Sequence, residues 1–174
     1  MFMAMTHSLL HASAENYSSP AGALREVDQH LRAHSSSDMF VTIFYALLDA
    51  QTQTLTYANA GHNPPLLRRA TGEIEQLTRT GAALGIFEAP ALSDRSLVLA
   101  SGDSLVIHTD GVTDALNSQG EHYEMAHLIE EVASLPKSNA KLQLAHLVKD
   151  LNDFIQDTPP FDDITFFILS RDQD

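Results

Sequence analysis

Apolar positions at the start of the chain recur at mixed three- and four-residue spacing. In residues 1–15, Phe2, Met5, Leu9, Leu10 and Ala14 follow this spacing, as one face of a helix requires. Ser18-Ser19-Pro20 interrupts it and predicts a second helix, with Ser19 as N-cap and Pro20 at the first position, carrying Leu24, Val27 and Leu31. Ser35-Ser36-Ser37 closes this helical pair. From Met39 the pattern changes to apolar, β-branched and aromatic runs over 40–48, 54–58, 66–67, 73–77, 96–99 and 105–107, which read as strands. Segments 49–53 and 70–73 read as hairpin connections, so the sheet is expected to be mostly antiparallel. Helical periodicity returns over 123–134, with Met125, Leu128, Ile129 and Val132 on one face, and over 139–155, with Leu142, Leu144, Leu147, Val148, Leu151 and Phe154. Pro159-Pro160 stops the second of these, and 164–169 supplies a final strand. Helices, then strands, then helices and one returning strand predict an α+β sandwich in a single domain over 1–174, rather than alternating βαβ units.

Composition narrows the function. The 174 residues, 44% of them hydrophobic, suffice to bury a core. A net charge of −13 disfavours nucleic acid, whose backbone needs clustered Lys and Arg, and disfavours anionic membrane surfaces. No cysteine is present, which excludes disulfides, thiolate zinc sites and cysteine-nucleophile phosphatase chemistry. No apolar run approaches the roughly 18 residues that span a bilayer, and no secretory leader pattern opens the sequence, so the expected location is cytoplasmic.

The candidate chemistry lies at two strand edges. Leu105-Val106-Ile107 leads into Thr109-Asp110-Gly111-Val112-Thr113-Asp114, and Phe161-Asp162-Asp163-Ile164-Thr165 leads into the last strand. If those strands are neighbours, Asp110 and Asp162 meet at one sheet end, an oxygen cluster suited to a hard divalent ion. Taken singly, Asp110-Gly111 reads as an ordinary turn and Asp162-Asp163 as a solvated loop. Asp103 and Asp114 are open to either reading and receive no firm role. Asn59-Ala60-Gly61-His62-Asn63-Pro64-Pro65 has turn composition, with structural duty as the default. The histidine pairs His7/His11 and His30/His34 have i,i+4 spacing without a metalloprotease carboxylate motif, and with the remaining histidines read as surface or packing residues.

These words in this order, together with Met39-Phe40-Val41-Thr42 and Leu84-Gly85-Ile86, resemble the metal-dependent PPM-type serine/threonine phosphatases, in their bacterial SpoIIE/RsbU-like branch. The resemblance implies an α-β-β-α layered fold. It implies Mn²⁺ or Mg²⁺, two ions in the family, with Asp110 and Asp162 as ligands, Gly111 allowing close approach of the backbone, and Asp163 orienting the site. It assigns His62 and Asn63 to the substrate phosphate, and the loop Asn117-Ser118-Gln119-Gly120 to one side of the site. The family's earlier Gly-Asp metal motif has no counterpart here, so the chain resembles an N-terminally incomplete domain lacking leading strands. The implied substrate is a phosphoserine or phosphothreonine signalling protein such as an anti-sigma-factor antagonist. The first two helices resemble those through which regulatory domains act, which leaves room for an upstream sensor or response-regulator domain and for a homodimer. The rival reading is a catalytically inactive module that binds a signalling partner.

Overall fold

Ser19 caps its helix as expected: its Oγ accepts a hydrogen bond from the Gly22 backbone N–H at 3.0 Å, and helix α2 (Pro20–His34) begins at the proline. Asp94 adds its carboxylate at the same helix end, Oδ1 accepting from the Ala21 N–H at 2.6 Å. The computed structural model describes residues 2–14, 16–34, 39–86 and 91–172, in two compact units. The expected stop at Ser35-Ser36-Ser37, and the outermost residues Met1 and Glu15 of the first predicted helix, lie outside the described residues.

The first unit comprises Met1–His62 and Thr78–Val98. It packs α1 (Phe2–Ala14) and α2 with an antiparallel sheet of β1 (Ile43–Asp49), β2 (Thr54–Ala60) and β5 (Arg95–Val98), in the order β1-β2-β5. Leu24, Val27 and Leu31 fill its core with Ile43, Ala58, Ala60, Leu84 and Leu92. Each fully buried leucine of this kind contributes about 1.5–3 kcal/mol. The first strand starts at Ile43, later than the apolar run over 40–48 suggests. The β1–β2 register ends at Ile43 opposite Ala60, where Gly61 turns the chain at φ +80°. Val41 pairs with Leu84 instead, through reciprocal bonds of 3.0 and 2.9 Å, and Phe40 is exposed. Gly85, at φ +91°, donates its N–H to the buried Asp28 carboxylate at 2.8 Å, which gives the Leu84-Gly85-Ile86 motif a structural duty.

The second unit comprises Asn63–Leu77 and Leu99–Asp174. Its antiparallel sheet runs β4-β3-β6-β7, from β3 (Leu66–Arg68), β4 (Ile74–Gln76), β6 (Ser104–His108) and β7 (Phe166–Ser170). Helices α4 (Glu124–Ser134) and α5 (Ala140–Ile155) pack on it, with Leu66, Val106, Val112, Tyr123, Leu128, Val132, Leu147 and Leu151 in the shared core. Asn139 caps α5, accepting from the Leu142 N–H at 3.1 Å. The helix ends at Gln156, whose φ of 49° breaks the ladder before the prolines are reached. A one-turn helix, α3 (Asp110–Thr113), replaces the plain turn expected after β6.

Candidate metal centre

Strands β6 and β7 pair from Ser104↔Ser170 to His108↔Phe166, so the residues following β6 and those preceding β7 emerge at the same sheet end. Asp110 and Asp162 are among those residues, as their strand-edge positions suggested. One hydroxyl ties the two segments: Thr109 Oγ1 donates to the Asp163 carbonyl at 2.8 Å and accepts from the Thr165 N–H at 3.0 Å. The Thr109 N–H also donates to the Thr165 carbonyl at 3.2 Å.

Gly111 makes the remaining contact. The Asp163–Ile164 peptide lies directly against its Cα, so a Cβ at Gly111 would press on the Asp163 carbonyl oxygen and stand 2.9 Å from its carbon. Val112 beside it is buried in the second unit's core and anchors α3. The turn itself is closed by Asp114 N–H to Asp110 carbonyl at 2.9 Å and by Thr113 Oγ1 to the same carbonyl at 3.1 Å. Packing therefore fixes the backbone on both sides while the Asp110 and Asp162 side chains remain exposed.

Each of these carboxylates spends one oxygen locally. Asp110 Oδ1 accepts from the Gly111 N–H at 3.1 Å and Asp162 Oδ1 from the Asp163 N–H at 2.7 Å. Their second oxygens make no hydrogen bond to the described residues. An all-oxygen, exposed donor set beside a glycine that leaves no room for a Cβ fits a hard divalent cation such as Mn²⁺ or Mg²⁺. The donor set is short: among the described residues, the one group of three or more His and carboxylate ligand atoms lying within 4.8 Å of one another is His127, Glu131 and Asp150, which includes neither Asp110 nor Asp162.

Other candidates separate clearly. Asp103 sits at the opposite end of β6, buried, and accepts from the Ala70 and Ala100 N–H groups and from Arg69 Nη1 at 2.9–3.0 Å. It holds a turn together and is no ligand at the Asp110 end. Asp114 is exposed at the end of α3, its carbonyl 3.1 Å from His122 Nδ1. Residues 117–120 form a tight turn in which Asn117 Oδ1 accepts from the Gln119 and Glu121 N–H groups. His62 closes the first unit's leading segment and Asn63 opens the second unit; both are half-buried. Which segment the Thr109 hydroxyl and Gly111 meet was not legible in the sequence, because their partners are more than fifty residues away in the chain.

Residues 1–172 match the family described as Stage II sporulation protein E (SpoIIE). Protein IcfG of Synechocystis sp. is 32% identical over 139 residues, covering 79% of this chain and 22% of IcfG. Phosphoserine phosphatase RsbU of Bacillus subtilis is 28% identical over 175 residues, covering 97% of this chain and 50% of RsbU. The chain thus spans half or less of the length of these two curated relatives. Among solved structures, the SiaA-PP2C domain of Pseudomonas aeruginosa superposes with a TM-score of 0.86 at 19% identity, over 98% of this chain and 69% of that one. This likeness bears out the α+β phosphatase-type fold.

Proposed function

Because the chain belongs to the SpoIIE family of PPM-type phosphatase domains, we propose that it acts as a metal-dependent protein serine/threonine phosphatase domain across its whole length. Its substrate would be a phosphoserine or phosphothreonine signalling protein, of the anti-sigma-factor-antagonist kind. The observation that carries this reading is the Thr109–Asp163–Gly111 knot, which holds the Asp110 and Asp162 segments side by side at one sheet end. Asp110 and Asp162 would hold the ion, with Gly111 admitting its close approach and Asp163 fixing the geometry of the loop.

When bound, divalent ions supply charge neutralisation at the phosphate and a water acidic enough to attack it at neutral pH. The chain's own contribution is positioning. The local N–H bonds to Asp110 Oδ1 and Asp162 Oδ1 orient each carboxylate and leave its second oxygen available as a ligand. His62 and Asn63 are the phosphate-binding candidates that the family resemblance alone supplies. Among the described residues no helix is long and apolar enough to cross a membrane, which is compatible with a cytoplasmic substrate.

Hydrolysis of p-nitrophenyl phosphate and of a phosphoserine peptide over a Mn²⁺ titration tests the proposal. Turnover that rises with Mn²⁺ and disappears with EDTA and in Asp110→Asn supports it. A folded protein with no turnover favours the rival, an inactive partner-binding module. Among the described residues no group of three clustered ligand atoms includes Asp110 or Asp162, the observation that favours this rival.

A further inference from the structure

A second constellation of ligand-type side chains lies where α4 and α5 pack together. His127 and Glu131 are four residues apart on α4, and His146 and Asp150 are four apart on α5, so each pair is stacked on one face of its own helix. The helices join the pairs crosswise. His127 Nε2 lies 3.2 Å from Asp150 Oδ2, and His146 Nε2 lies 3.0 Å from Glu131 Oε2. Ligand atoms of His127, Glu131 and Asp150 all lie within 4.8 Å of one another.

The surroundings hold this group in place. Tyr123, fully buried, donates its hydroxyl to Asp150 Oδ2 at 2.6 Å. Its ring lies against that of His127, with centroids 4.4 Å apart. Ser134 Oγ lies 3.4 Å from His146 Nε2. The four side chains are between 24% and 39% exposed, open enough for an ion to enter and sheltered enough to hold it.

We propose that His127, Glu131 and Asp150 form a binding site for a borderline divalent transition ion, of which Zn²⁺ is the test case, and that His146, which pairs with Glu131 but stands outside this three-residue group, turns in as fourth ligand. Zinc bonds of about 2.0–2.2 Å place neighbouring ligand atoms of a tetrahedron about 3.3–3.6 Å apart. The His–carboxylate separations of 3.0 and 3.2 Å are close to that spacing within each pair, and binding requires rotation of the half-exposed His146 side chain toward the other three. Tyr123 fills the role of an outer hydrogen-bond donor that orients a ligating carboxylate. Two imidazoles select against Mg²⁺ and Mn²⁺, which prefer oxygen, so this site differs in chemistry from the all-oxygen pair Asp110 and Asp162. Simple ion pairing accounts for each His–carboxylate contact but requires neither the third ligand atom nor the buried phenol behind it. A bound ion would cross-link α4 to α5.

The test uses the full chain after chelator treatment. Calorimetric titration with Zn²⁺ in excess Mg²⁺ is expected to give one zinc per chain, and Co²⁺ substitution to give the visible absorption of a nitrogen-ligated, four-coordinate ion. At zinc about 100 times its Kd, the unfolding equilibrium constant falls about 100-fold. The double variant His127→Ala/His146→Ala loses at least about tenfold in zinc affinity, while Asp110→Asn retains it. Zinc binding abolished by excess Mg²⁺, or lost in Asp110→Asn and kept in the double variant, overturns the proposal. Should the double variant fail to fold, the imidazole NMR resonances of the unaltered protein decide. Zinc must shift two of the nine histidines, and a titration that moves none overturns the site.

Discussion

Replacing Gly111 by alanine puts a methyl group where the Asp163–Ile164 peptide already lies. The new Cβ would press on the Asp163 carbonyl oxygen, 2.9 Å from the Asp163 carbonyl carbon and 3.3 Å from that of Asp162. Gly111 lies in α3 and outside the left-handed region, so the substitution carries no φ penalty. Helix propensity even favours alanine by about 1 kcal/mol. Against that gain stand overpacking, about 1–3 kcal/mol, and loss of the 2.8 Å bond from Thr109 Oγ1 to the displaced carbonyl, about 1 kcal/mol. The net expectation is a destabilisation of about 2 kcal/mol, read as a fall in Tm of about 4–8 °C for a chain of this size. A shift of about 1 Å in the peptide carrying Asp162 lowers Mn²⁺-dependent turnover about 100-fold. Thermal unfolding and the p-nitrophenyl phosphate assay read the two effects separately. A Gly111→Ala protein that melts with the unaltered chain and keeps its turnover refutes the contact and the positioning role built on it. Gly72→Ala is the control. Its Cβ meets nothing within 4 Å and its φ is +94°, so it costs about 1–2 kcal/mol through backbone strain alone and spares turnover.

Two further outcomes follow from buried polar groups in the second unit. Asp103→Asn replaces the acceptor of the Ala70 and Ala100 N–H groups and of Arg69, and lowers stability in urea by about 2–3 kcal/mol; a loss under about 0.5 kcal/mol would contradict its structural role. Burial, and then the hydrogen bond to Asp150, hold the Tyr123 phenol protonated well above its ordinary range. Since the folded-state pKa is raised, this stabilisation is complete below the ordinary value of about 10 and is lost as pH rises beyond it. Urea midpoints should therefore fall in strongly alkaline buffer, and fall less in Tyr123→Phe; equal slopes for both proteins would count against the assignment.

Much of this architecture is legible in local pattern. Leu24, Val27 and Leu31 announce the buried face of α2, and Ser19-Pro20 its start, because capping and helical period are set by residues within a few positions of one another. The strand edges at Asp110 and Asp162 are visible in the same way. Where local pattern misled, a distant partner decided: the apolar run over 40–48 pairs with β2 only from Ile43, since Val41 bonds to Leu84.

The residue pattern alone left the role of Asp103 open, though it flanks the same short strand as Asp110. Antiparallel pairing with β7 sends one to the end shared with Asp162 and buries the other among backbone donors beside Arg69. Nor could it join His127 and Glu131 to Asp150 and His146, because i,i+4 spacing fixes a face of one helix and says nothing about which helix that face meets. Period, caps and strand edges are properties of neighbouring residues and are written in the chain. Which carboxylate faces which partner depends on contacts between segments far apart in sequence, and only tertiary packing brings those together.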